Sequence, residues 1–514
     1  MAVLEPESFR KGGVSSTVLQ AVSQGLAFVF SLVMAHCFGA IAPTDVFNYC
    51  TGTFAMVSGF MLSLDSAVLI PEAMRRREQE SPESGICFLN FFLWLFGGIT
   101  AILTLLAVCS PVRFLTAISQ FDPAVLEANR TLILWVIPVF LLQLLVQYTN
   151  SILVSYRYFS LPAKWSIACR LLNIAFVLCF SRLLGVVALA QSMIIGFAVQ
   201  LAVSLWLMRT RLDWSFVPRW PGIRWKVWRD LGYTEIGILV ISMAVFSPLL
   251  MASAAPEGFV TAMNYALKIA QMPETLLSAQ MALIIGIRLN ELASKGDQDA
   301  FRETYGRLAR FMLWFGTPCA CFLFIAAPDA VPWLLQRGAY SAEAARLTTI
   351  LFQGMIAAFP AIVYNAILLQ VFAAKQKVFR RNLMDIIMNV SIFSLLWILV
   401  PRMGIVHFPW VKTGCLYGVH LVWMLAMRWV DPSIPLGKTY GFMVLHVAVN
   451  VAIAGGVWFV LGLVPNWPEL ARIALAAVLY ATLWGGVQLI WKWDRTAWNY
   501  AMQIGRDACQ RRRA

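Results

Sequence analysis

About fourteen apolar stretches of membrane-spanning length run through this chain, and no other feature of it constrains the fold as tightly. In hydrocarbon every backbone N–H and C=O must find its partner inside the protein, so apolar runs of about 20 residues commit to α-helices. We place them at 14–38, 45–70, 86–109, 131–153, 165–182, 184–208, 231–253, 259–287, 309–327, 347–372, 383–400, 409–427, 441–463 and 470–491. Hydrophobic residues make up 60% of the sequence and charged residues only 13%, which leaves little for a soluble domain. The expected fold is all-α and polytopic.

Charge supplies the orientation. With the N-terminus inside, loops on that side hold thirty of the forty Lys and Arg, and the opposite side holds seven, from Arg113 to Arg472. Both termini are therefore expected in the cytoplasm. A net charge of +14 confined to short loops between spans is the ordinary product of the positive-inside bias, so no nucleic-acid partner is expected. The N-terminal segment has no short apolar core followed by a small-residue cleavage site, so the first span is expected to be retained. Nine of the ten cysteines lie in or at the ends of spans, which argues against a disulfide framework. His36, His407, His420 and His446 are scattered without ligand spacing, and no metal site is expected.

The longest polar stretch, 209–230, divides six spans from the rest and reads as a cytoplasmic linker. On either side Asn48-Tyr49 and Asn264-Tyr265, Gln120 and Gln336, and Arg130 and Arg346 all stand at one offset of 216 residues. Each pair falls at the same topological place. We expect an N-lobe at 1–208, a C-lobe at 231–430 related to it by pseudosymmetry, and two added spans with a basic tail at 431–514. Such paired bundles are typical of transporters with a site between them.

Polarity inside the spans points to cargo. The first span carries Ser15, Ser16, Thr17, Gln20, Ser23 and Gln24 before its apolar half, too polar to face lipid throughout. Gln143, Gln147 and Asn150 share one helix face by spacing, as interhelical hydrogen bonders or cavity lining. Lys268 stands nine residues into its span, roughly 13 Å deep, where a lysine needs a partner or a wet cavity. Pro273 and Glu274 follow; Glu274 is a candidate counterion, although a spacing of six places it off the Lys268 face. Arg170, Asp65, Glu235 and Asp385 lie nearer span ends, and snorkelling is expected of each. Asp45 either caps the second span or lines an outer gate.

Three motifs carry a family resemblance. Phe38-Gly39 with Thr44-Asp45 and Phe47, Asn264-Tyr265-Ala266 with Lys268 and Pro273, and Leu334 to Ser341 resemble, in order and spacing, the signature of the MviN/MurJ flippases. The likeness runs over nearly the whole chain. It implies the superfamily shared with polysaccharide-lipid flippases and multidrug antiporters, a bacterial inner-membrane location, and alternating-access export of an undecaprenyl diphosphate saccharide, lipid II in that family. It also implies a central cationic cavity and a tail groove formed by the last two spans. By position the family's essential arginine in span eight falls on Lys268, which keeps the charge but loses the bidentate fork. Where the family has two arginines in span one this chain has Gln24 and Phe30, the arginine of span two falls near Ser58 or Gly59, and the acid of span eight becomes Gln271.

These readings make Lys268, Gln24, Asp45, Glu274, Gln143, Gln147 and Asn150 the candidate substrate contacts, with no catalytic residue. Moving one negative charge outward gains about 2.3 kcal/mol per 100 mV, so the membrane potential, or Na+ or H+, is expected to drive export without a cofactor. No phosphate-binding loop of the Gly-x-x-x-x-Gly-Lys-Ser/Thr type occurs. The partners expected are a lipid-linked oligosaccharide and membrane lipids, the expected state a monomer. The alternatives are export of an exopolysaccharide or O-antigen unit, a cation-coupled drug antiporter, a membrane glycosyltransferase, for which the outer loops are too short, and a non-transporting scaffold.

Overall fold

The structure, a computed structural model, describes residues 9–64, 68–275, 280–375, 378–430 and 436–491. Asp65 lies outside them, as do the side chains of Ser15, Ser16, Thr17 and Glu235. The first half of the chain forms α1 (Phe9–Phe38), α2 (Ala42–Leu64), α3 (Ile70–Gln79), α4 (Pro82–Cys109), α5 (Pro111–Ile118), α6 (Pro123–Ala128), α7 (Arg130–Ser155), α8 (Ser160–Leu184) and α9 (Val187–Arg211). There follow α10 (Trp225–Ala252), α11 (Phe259–Pro273), α12 (Gln280–Ser294), α13 (Gln298–Leu335), α14 (Ala342–Ile356) and α15 (Phe359–Ala374). The chain closes with α16 (Val378–Met403), α17 (Phe408–Val430), α18 (Leu436–Gly462) and α19 (Glu469–Trp491). Among the described residues, ten helical segments are long and apolar enough to cross a membrane. The protein is a multi-pass, all-α membrane protein.

Local chemistry sets many boundaries. Ser81 accepts from the Ser84 N–H with Pro82 just inside α4, and Asp122 accepts from the Ala124 N–H with Pro123 just inside α6. One expected span is broken, and two others are described in part. The run 259–287 is described as α11 and, from Gln280, α12; Pro273 has no N–H to donate and its ring crowds the preceding turn, and the helix widens at Glu274 and Thr275. The run 347–372 breaks at Ala357 and Ala358, and Pro360 suits the first turn of α15. Within 45–70, α2 is described to Leu64, helix is present again at 68–69, and it leads into the polar α3.

Two compact units divide the chain, Met1–Thr261 with Arg337–Ala344, and Ala262–Gln336 with Ala345–Ala514. In the first, α7 packs against α2, α4 and α9, α1 lies along α8, and α10 packs on α2. In the second, α13 is central, meeting α15, α18 and α19, while α16 and α17 pair.

The polar stretch after α9 is a strap held across α3 and α4. Trp214 is fully buried and donates to Asn90 Oδ1 at 3.2 Å, while Asn90 Nδ2 donates to the Val217 carbonyl at 2.9 Å. Trp94 Nε1 donates to the Phe216 carbonyl at 2.8 Å, and the buried Arg76 donates to the carbonyls of Pro221 and Gly222 at 2.5 and 3.1 Å. Arg75, hydrogen-bonded to Glu72 through two nitrogens, holds that carboxyl below the usual carboxylate range. Arg76→Ala is expected to orphan the two carbonyls and cost about 1–3 kcal/mol locally, releasing the strap. Limited trypsin digestion of inside-out vesicles checks this: cleavage at Arg219 should accelerate, and an unchanged rate would mean that Arg76 does not hold the strap.

Candidate functional site

At the end of the first unit remote from the strap, residues distant in sequence converge on the α1–α2 corner. Gly39 and Gly338 adopt left-handed backbone angles, φ 68° and 64°. The reason is spatial as well as torsional. A Cβ on Gly338 would stand 2.3 Å from the His36 carbonyl oxygen, and one on Gly39 would stand 2.3 Å from that of Ala339. This close approach lets the Ala339 N–H donate to the His36 carbonyl at 2.9 Å, closing the last turn of α1. Gly338→Ala is therefore expected to displace backbone and lower the melting temperature by several degrees, roughly the effect of 1–3 kcal/mol. A thermal melt of the purified variant measures it, and an unaltered midpoint would show that the turn can relax.

Asp45 is 3% exposed and its carboxylate accepts the Gly258 N–H at 2.6 Å and the Thr261 N–H at 2.7 Å. It thus caps the start of α11 rather than of its own helix. The α2 start is organised by Thr44 instead, whose Oγ1 accepts from the Ile41 N–H at 2.9 Å and donates to the Ile41 carbonyl at 2.7 Å. Asn48 Nδ2 donates to Thr261 Oγ1 at 3.1 Å, and Glu257 accepts the Ala42 N–H at 2.8 Å. Two of the sequence motifs, 38–47 and 334–341, owe their spacing to this latch.

The other candidates scatter along the spans. Lys268 is half-buried on α11. Glu274, in the widened turn after Pro273, interacts electrostatically with Lys412 of α17. Lys412 escaped the sequence reading; the signal was a lone base among apolar residues near the start of span twelve. Gln143, Gln147 and Asn150 are half-buried on α7. The Gln147 Oε1 and Asn150 Oδ1 atoms are closed off without a donor, so interhelical bonding does not use them. Gln24 is exposed. Arg170, expected to snorkel, turns to α1 and donates to Ser23 Oγ at 3.0 Å.

The spans also carry an apolar feature. A groove of about 870 Å3 runs between α16 and α17, lined by Leu395, Leu399, Gly414, Gly418 and their neighbours, and it contains none of the polar candidates.

The fold and these buried polar groups define a multi-pass membrane transporter of the kind built from paired helical units. A structure of "Lipid II flippase MurJ, inward closed conformation" superposes with a TM-score of 0.75 at 14% identity, covering 92% of this chain and 98% of that one. An outward-facing multidrug resistance MATE transporter of the MOP superfamily superposes with a TM-score of 0.54 at 12% identity, covering 86% and 96%. The family model for lipid II flippase MurJ matches residues 34–470, and the chain belongs to that family. A relative from Buchnera aphidicola (subsp. Acyrthosiphon pisum), named as a probable lipid II flippase MurJ, is 23% identical over 405 residues, 74% of this chain and 75% of its own length.

Proposed function

We propose that the protein carries an undecaprenyl diphosphate saccharide, foremost the peptidoglycan precursor lipid II, from the inner to the outer leaflet of the bacterial cytoplasmic membrane by alternating access. The observation that carries this reading is family membership over residues 34–470, supported by a half-buried lysine on α11 at the position implied by the motif. A diphosphate cannot enter hydrocarbon without compensation, and a cation within the spans lowers that cost while the tail stays in lipid. The protein supplies the path and makes no covalent change. Both termini face the cytoplasm, where the basic strap stands, and the Asp45 latch belongs to the opposite, outer surface. Outward movement of negative charge is driven by the membrane potential.

The deciding experiment is complementation of a strain depleted of its own lipid II flippase: growth and normal shape are expected on expression of this chain. A second reading, export of an exopolysaccharide or O-antigen unit, is favoured by one observation, that Gln24, Phe30 and Ser58 occupy positions where the resemblance calls for arginine. Failure to complement together with restored export in a polysaccharide-flippase mutant would select it.

A further inference from the structure

The Arg170 guanidinium is the most conspicuous charge in the first unit that the latch and the strap leave unexplained. It stands ten residues into α8, about 15 Å of helix rise from Ser160, within a helix long and apolar enough to cross a membrane. Its Nε donates to Ser23 Oγ at 3.0 Å, and that hydroxyl also meets Ser166 Oγ at 3.0 Å. Ser23 is 3% exposed and is seated where α1 lies along α8. Ser166 lies one turn nearer the start of α8, so the side chain reaches back along its own helix and is held there by a hydroxyl of α1.

The charge balance around it is incomplete. A guanidinium offers five N–H donors and cannot shed its proton in a protein. Among the described residues Arg170 forms no ion pair, and its one hydrogen bond is the one to Ser23. Holding an uncompensated charge at this depth costs several kcal/mol, and a role in packing alone does not require it, because a neutral side chain would join α8 to Ser23 more cheaply. Beside the anchor, Gln20 and Gln24 stand four residues apart on α1, so they share a face, and both are exposed. A fixed guanidinium, with two exposed amides on the helix that anchors it, is a donor set suited to phosphate oxygens, which arginine binds in bidentate fashion.

We propose that Arg170, positioned by Ser23 on the helix that also carries Gln20 and Gln24, is a binding site for the phosphate groups of a lipid-linked anion. The proposal rests on the flippase reading above and adds to it a cation from α8, a helix on which no candidate contact was expected.

The test uses the full-length protein in nanodiscs and native mass spectrometry with two probes of identical tail, undecaprenyl diphosphate and the uncharged undecaprenol. The wild-type protein is expected to prefer the diphosphate. In Arg170→Gln that preference should fall roughly ten- to a hundredfold, the loss of one charge-assisted contact, with undecaprenol binding unchanged. Arg170→Lys should retain part of it. Ser23→Ala, which removes the anchor but no charge, should lower the preference several-fold at an unchanged melting temperature. Full preference in a folded Arg170→Gln overturns the proposal. So does an Arg170→Gln that fails to fold while Ser23→Ala and Arg170→Lys bind as wild type, since the contact is then only structural. If the wild-type protein does not distinguish the two probes, the flippase reading itself falls, and the Arg170 site with it.

Discussion

Lys268→Ala is expected to abolish complementation while leaving the protein inserted and folded, and Lys268→Arg is expected to restore it. The first half follows from depth. The lysine is half-buried on α11, and an anionic headgroup passing it gains a charge-assisted contact worth about 1.5–3 kcal/mol, ten- to a hundredfold in affinity. Alanine leaves the phosphate to meet hydrocarbon-flanked space with one cation fewer. The second half follows from geometry: a guanidinium offers phosphate two parallel N–H groups where an ammonium offers a point charge, so arginine should equal or exceed the native residue. Transport in proteoliposomes with a fluorescent lipid II, scored against membrane insertion, separates loss of function from loss of protein. Full activity of the alanine variant would remove Lys268 from the mechanism.

Asp45→Ala should be as damaging for a different reason. The carboxylate is the acceptor for two backbone N–H groups at the start of α11, at 2.6 and 2.7 Å, and is 3% exposed. Removing it costs two charge-assisted hydrogen bonds and leaves two buried donors without partners, together about 3–6 kcal/mol. That is a large share of the stability of most folded units, so a melting midpoint lower by several degrees is expected in detergent. Asp45→Asn keeps one acceptor oxygen and should fall between the two. If the latch closes the outer surface during the cycle, Asp45→Asn should also slow transport more than its melting temperature accounts for. Normal stability in Asp45→Ala would mean that water or a neighbouring side chain replaces the carboxylate without cost.

These two residues show how unevenly the sequence yields its contents. Lys268 was legible because a charge nine residues into an apolar run violates membrane energetics whatever the fold around it. Asp45 was half legible: a polar residue at a helix start signals a cap, but whose helix it caps depends on which backbone lies within 3 Å, and Gly258 and Thr261 are more than two hundred residues away. Arg170 was read for its depth alone; that a hydroxyl of α1 holds it depends on Ser23, 147 residues away. Lys412 was passed over because the group it meets, Glu274, lies far from it in sequence, just past Pro273.

Hydrophobic runs, the distribution of Lys and Arg, and prolines act through solvent and through the covalent chain, and neither needs a tertiary contact. The all-α membrane class, the expected orientation and the family motifs are therefore visible in one dimension. Which helices pack, where a span breaks, that the linker is a bound strap, and that Gly39 and Gly338 share one crowded turn depend on distances between segments far apart in sequence. Those distances come from packing many side chains at once, and no local pattern encodes them.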